Sequence, residues 1–156
     1  VSDAFTRYGS LSMPAALAQG RFDSVMGLEI EPRLGLERPV FLHDYPASQS
    51  ALARVVEREG VAVAERFEAY LGPLELANGY HELCEANEQQ RRFEAEVAAR
   101  RALGREAPAI DQRLVQALRH GMPACAGVAL GVDRLLAVLL GGVRLPETLA
   151  FAADRA

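Results

Sequence analysis

Apolar and polar positions alternate most sharply between residues 61 and 83. Val61, Val63, Phe67, Ala69 and Leu71 alternate with Arg66, Glu68 and Tyr70, the period of two expected of a strand with one covered face. On this reading the apolar set faces the core, interrupted by Glu65, and Glu68 lies on the other side. Leu71-Gly72 reads as a two-residue turn and Pro73 as the start of a return strand, since glycine supplies the backbone angles of such turns and proline is tolerated at a strand's first residue. That register sets Glu68 directly opposite Glu75. Carboxylates about 5 Å apart across a strand pair repel, by about 3 kcal/mol at an effective dielectric near 20. A cation between them reverses the sign, because Mg²⁺ is typically held by one or two carboxylates plus substrate phosphates. A register one residue off, with the two glutamates on opposite faces in water, is the alternative the periodicity leaves open. In the return strand Gly79 marks a bulge or a close backbone approach. A bulge would bring Glu75 and Glu82 to one side.

The remaining pattern predicts helices around this hairpin. Residues 1–9 offer one helical turn, capped by Ser2 or Asp3. Pro14 starts a helix with Leu17, Phe22, Val25 and Met26 as its apolar stripe, weakened at Gly20. Residues 39–45 (PVFLHDY) read as a strand with His43 and Asp44 on opposite faces. Residues 54–60 read as a surface connection. A capping box at Asn87 to Gln90 opens a long helix through Leu103 whose charged residues are a solvated face. Asp111 opens another helix, with His120 at its end against the helix dipole. Residues 126–132 (AGVALGV) form a glycine-containing strand, and Asp133 caps a helix of residues 134–140. Such a junction presents free N–H groups to an anion, and Arg134 adds a guanidinium fork. Residues 145–156 read as a short element covering an edge. Hairpin-linked strands between helices make the fold class α+β, an antiparallel sheet flanked by helices.

Composition adds limits. With 156 residues the chain is one domain, residues 1–156, with enough length for a core. No apolar run approaches the roughly 20 residues of a membrane span, and the net charge of −4 gives no basic field for nucleic acid. All 17 basic side chains are arginine. Cys84 and Cys125, isolated and without metal-ligand spacing, read as buried thiols of a cytoplasmic protein. There is no GxxxxGK loop, GxGxxG or HExxH.

RFEAYLGPLELANGYHEL (66–83) followed by GMPACAGVALGVDRLL (121–136) resembles the carboxy-terminal part of a class II lysyl-tRNA synthetase catalytic domain, the second stretch being similar to that class's third signature motif. FLHDYPASQSALA, IDQRLVQALRHGMPACAGVALGVDRL and the ending FAADRA are more similar to the short paralogues of that family, the elongation factor P–(R)-β-lysine ligases. True lysyl-tRNA synthetases carry glycine where this chain has Ala129. One added methyl in an amino-acid pocket is worth about 1–3 kcal/mol of discrimination.

The resemblance implies an ATP-dependent ligase using Mg²⁺. Glu68 and Glu75 match the glutamates holding the cation, and Glu75, Leu76, Gly131 and Arg134 match the nucleotide site, Arg134 being its catalytic arginine. Asn78, Tyr80, Glu82 and Ala129 match the substrate pocket, with Glu82 pairing an ammonium group. The implied substrate is lysine or β-lysine, activated as an acyl-adenylate. The implied acceptor is a lysine of elongation factor P, with tRNA as the alternative and a non-catalytic interaction module as the reading from another class. The family's first motif, which forms a homodimer interface, and its second, a Phe-Arg-x-Glu loop, are expected before Val1. On that reading this polypeptide alone is a fragment with little or no pyrophosphate exchange.

Overall fold

The computed structural model describes residues 1–152. Five antiparallel strands form one sheet: β1 (Val40–Pro46), β2 (Val55–Arg58), β3 (Val61–Leu71), β4 (Leu74–His81) and β5 (Ala126–Leu130). The order is β1-β3-β4-β5, with β2 pairing the first half of β3. Helices α1 (Ser2–Tyr8), α2 (Met13–Ala18) and α3 (Phe22–Val25) precede the sheet, α4 (Ala86–Ala102) and α5 (Gln112–His120), packed on each other, lie between β4 and β5 in the chain, and α6 (Val132–Leu139) follows β5 and packs on β4. The fold is α+β, an antiparallel sheet flanked by helices.

The core lies between α1–α3 and one face of the sheet. Phe5, Ala16, Phe22, Val25, Met26 and Ile30 pack with Leu42, Tyr45, Ala64 and Tyr70, and the Phe5 and Phe22 rings stack at 5.1 Å. This reverses the expected face of β3: the helices cover the side that carries Ala64, Glu68 and Tyr70. The opposite side keeps Phe41, Val61, Val128 and Leu130 exposed. Apolar alternation reports that two faces differ; it does not report which one an element from elsewhere in the chain will cover.

The central hairpin also departs from its expected register. Leu71 pairs with Leu74 and Tyr70 with Glu75, so the turn residues are Gly72 and Pro73, not Leu71 and Gly72. Gly72 has φ 59°, the positive value a II′ turn takes at its first central position. Glu68 is therefore not opposite Glu75; it pairs with Asn78. Moving the turn by one residue shifts the partner by two, which preserves faces, so Glu68, Tyr70 and Glu75 remain on one side. A bulge does occur, at Leu76 rather than Gly79: Tyr70 pairs with Glu75 but Ala69 pairs with Ala77. The extra residue brings Asn78 and Tyr80 onto the face of Glu68 and Glu75. Gly79 is instead a close approach, since a Cβ there would lie 2.7 Å from the Phe67 ring and 2.9 Å from the Gly127 carbonyl oxygen.

Several local expectations change for stated reasons. The helix begun at Pro14 breaks at Gly20, φ 63°, leaving α2 with a Ser12 cap bonded to the Ala15 N–H. After α3 the chain widens into a π turn (Met26–Ile30) and then tightens into a 3₁₀ turn (Glu31–Arg33). Neither Ser2 nor Asp3 caps α1, whose N-cap is Val1. Residues 55–58 pair with β3 as a strand rather than forming a connection. A bulge with Asp44 at φ 56° brings His43 and Asp44 together, Nδ1 to Oδ2 2.9 Å. The α4 cap is Glu85 without a side-chain bond, so no capping box forms at Asn87. One α4 arginine is not solvated: Arg92 donates to Ser50 Oγ and to the Ala51 and Ala53 carbonyls. Gly131, not Asp133, caps α6. Leu145–Thr148 is a 3₁₀ turn packed on α6, and residues 153–156 of the expected final element lie outside the described residues.

Candidate active site

The hairpin face beside β5 gathers the candidate residues. Asn78 pairs with Ala129 and Tyr80 with Gly127, so side chains from both strands share that face with Glu68 and Glu75. Beyond β4, the Glu82 N–H donates to the Cys125 carbonyl at 3.0 Å, continuing the ladder. Glu82 then turns its carboxylate over Gly127, where a Cβ would lie 2.8 Å from Oε1. Gly127 was not among the expected site residues. Its signal in the sequence was only that a second glycine precedes Gly131 by four positions.

At the other end of the face, the bulged Leu76 carbonyl accepts the Gly131 N–H at 2.8 Å, which ties the start of α6 to β4. Arg134, in the first turn of α6, donates from Nη1 to the Glu75 carbonyl at 2.8 Å. The Glu75 carboxylate lies 3.9 Å from the same nitrogen. Both side chains remain partly open to solvent, 49% for Arg134 and 38% for Glu75. The helix N-terminus, the guanidinium and a free carboxylate thus meet at one point, an arrangement suited to an anion with its counter-cation.

Glu68 is placed differently. It is buried, and its Oε2 accepts from the Tyr45 hydroxyl at 2.5 Å and the Tyr70 hydroxyl at 2.6 Å. Its Oε1 accepts from Arg66 and from Asn78 Nδ2, the latter at 3.1 Å. Arg66 also reaches Asn78 Oδ1 and the Gln49 carbonyl, and its guanidinium stacks 4.4 Å above the Tyr45 ring. Burial first, then the hydrogen bond to Glu68 and its charge, push both tyrosine hydroxyls well above their ordinary range, so both remain donors. Glu31 adds a third carboxyl near Glu68 and Glu75. Burial, then the charges of those two, push it up, against a hydrogen bond with Tyr70. Tyr45, Arg66 and Glu31 were not expected at the site, because each arrives through tertiary packing or a partner the spacing does not indicate.

His43 pairs with Asp44 and lies on the face away from Glu68, next to Phe67 in register. His120 bonds the Gln116 carbonyl at the end of α5. Cys84 and Cys125 are half-buried rather than buried. Cys84 Sγ contacts the Glu82 and Pro123 carbonyls, and burial, with Cys84 and Glu82 nearby, pushes the Cys125 thiol up.

Among the described residues no three His, Cys, Asp or Glu side chains converge to hold a metal unaided. Mg²⁺ commonly takes one or two carboxylates and completes its shell with phosphates and water, and Glu75 offers a partly open carboxylate beside the anion position. The donor set of Glu75, Gly131 and Arg134 thus suits a phosphate group with its Mg²⁺. One substitution tests the substrate end. Gly127→Ala should displace only the flexible Glu82 tip, leaving the melting temperature within about 2 °C of wild type. If Glu82 pairs a substrate ammonium group, as the sequence resemblance implies, binding of a lysine-type amino acid with Mg·ATP, read by calorimetry, should weaken roughly tenfold or more.

No helix among the described residues is long and apolar enough to cross a membrane. Residues 15–155 match the family model described as tRNA synthetases class II (D, K and N). That match spans nearly the whole chain, including β4, the bulge and the β5–α6 junction, and the chain therefore belongs to the class II tRNA synthetase family, whose members are ligases that use ATP and Mg²⁺.

Proposed function

We propose that this chain carries the amino-acid-activating face of a lysine-type ligase, in which ATP and a lysine or β-lysine carboxylate form an acyl-adenylate. The single observation that supports the reading most is the meeting of Arg134, the Glu75 carboxylate and the α6 N-terminus at the end of the strand bearing Asn78, Tyr80 and Glu82. In the proposed step a substrate carboxylate oxygen bonds to the α-phosphorus, the bond to the bridging oxygen breaks, and pyrophosphate leaves. Arg134 takes up phosphate charge, and the Gly131 end of α6 adds its N–H groups. Mg²⁺ at Glu75 would neutralise the phosphates. Glu82 holds the substrate's ammonium group, Asn78 and Tyr80 line its path, and Ala129 narrows it. Orientation and charge neutralisation then supply the catalysis, and no protein nucleophile is needed.

The acceptor we favour is a lysine amine of elongation factor P, which captures the acyl group as AMP departs; it rests on the sequence resemblance. The family match favours a second reading, transfer to tRNA. A cytoplasmic location and a homodimer belong to the same proposal. Mg·ATP at about 100 times its Kd should stabilise this polypeptide by about 2.7 kcal/mol, a rise of roughly 5–10 °C in Tm. Glu75→Gln should remove most of that rise. No shift in the wild-type chain would favour an interaction module that kept the fold and lost the chemistry.

A further inference from the structure

The family resemblance pairs Glu68 with Glu75 as cation ligands, but their surroundings differ. An ionised carboxylate has about four acceptor directions, two on each oxygen. At Glu68 all four are taken: Tyr45 and Tyr70 on Oε2, Arg66 and Asn78 on Oε1. The residue is 7% exposed, so a metal ion reaching it would have to displace a buried donor and leave that donor without a partner. Glu75 has no such cage among the described residues: Arg134 donates to its backbone carbonyl and lies 3.9 Å from its carboxylate, which stays 38% exposed.

We propose that Glu68 is the internal anchor of the pocket rather than a cation ligand, and that Glu75 alone supplies the protein's carboxylate to the metal. Its role is to position. It draws Tyr45 of β1, Arg66 and Tyr70 of β3 and Asn78 of β4 to one point. Asn78 is thereby fixed in one amide orientation, its Nδ2 donating to Glu68 and its Oδ1 accepting from Arg66. The inference rests on the ligase reading only for the identity of the cation's partner, ATP.

Mn²⁺ with ATP, titrated into the full chain and followed by electron paramagnetic resonance, separates the alternatives. Glu68→Gln puts an amide NH₂ where two donors converge, and its Tm should fall on the order of 10 °C. Below its transition the folded variant should bind Mn·ATP within about threefold of wild type, whereas Glu75→Gln should weaken binding at least about tenfold. Tyr45→Phe supplies a readout that a merely structural role would not move. It opens one acceptor direction on Oε2, and Mn·ATP should bind more tightly than to wild type. The proposal is overturned if Glu68→Gln melts as wild type does, if the folded variant loses Mn·ATP as Glu75→Gln does, or if Tyr45→Phe leaves binding unchanged or weaker. Absence of Mn·ATP binding in the wild-type chain overturns the ligase reading instead, and the anchor then stands or falls on the Glu68→Gln melting temperature.

Discussion

Gly35→Ala should lower the stability of this protein by about 3–5 kcal/mol, visible as a fall in Tm of roughly 10 °C or more. Two independent penalties add at this position. Gly35 has φ 66°, a conformation costing an L-residue about 1–2 kcal/mol. A Cβ there would lie 2.8 Å from the Tyr70 carbonyl oxygen and 2.9 Å from the Leu71 Cα. Those atoms are backbone in the middle of the β3–β4 hairpin, and they have no rotamer with which to yield. The Gly35 carbonyl also accepts the Gly72 N–H at 2.7 Å, so displacement would loosen the turn that sets Tyr70 against Glu75. Gly20→Ala is the control. It has a similar φ, 63°, but nothing lies within 4 Å of its Cβ, so only the conformational part should appear. Equal losses at the two positions in urea melts would remove the close-approach argument.

Arg134→Ala should abolish the Mg·ATP-dependent rise in Tm while leaving the unliganded Tm within about 2 °C of wild type. The side chain is half exposed, and among the described residues it donates to the Glu75 carbonyl and lies 3.9 Å from the Glu75 carboxylate. The start of α6 is held separately by the Gly131 N–H to the Leu76 carbonyl. Deletion therefore removes a charge from the anion position without detaching the helix. Arg134→Lys should restore little, since a lysine presents one point charge where a planar fork can span the Glu75 carbonyl and a phosphate together. A variant that loses stability without ligand, or keeps the full Mg·ATP shift, would place the phosphate elsewhere.

Much of the site was legible because strands impose a two-residue period. Glu68 and Tyr70 share a face for that reason, and so do Asn78, Tyr80 and Glu82. The strand–glycine–helix pattern before Arg134 likewise announced the α6 N-terminus, although its cap is Gly131 and not Asp133. The strand of residues 55–58 escaped notice because four residues, two of them charged, carry too little alternation to stand out from a loop. A bulge in β4 was among the expectations, with Glu75 and Glu82 brought to one side, but at Gly79; its place at Leu76 was not legible for a different reason. An inserted residue leaves no mark in the composition of a strand, yet it reverses every face beyond it.

By itself, then, the sequence determined an α+β chain and pointed to Glu68, Glu75, Asn78, Tyr80, Glu82 and Arg134 of the candidate site but not to Tyr45, Arg66 or Glu31, because backbone period and turn chemistry are local properties. Tertiary structure decided which face of the sheet is covered and which donors Glu68 accepts from. A carboxylate between Tyr45, 23 residues before it, and Asn78, ten after, takes its hydrogen-bonding state from where those strands meet. That meeting depends on register and burial, which no spacing along a single strand encodes.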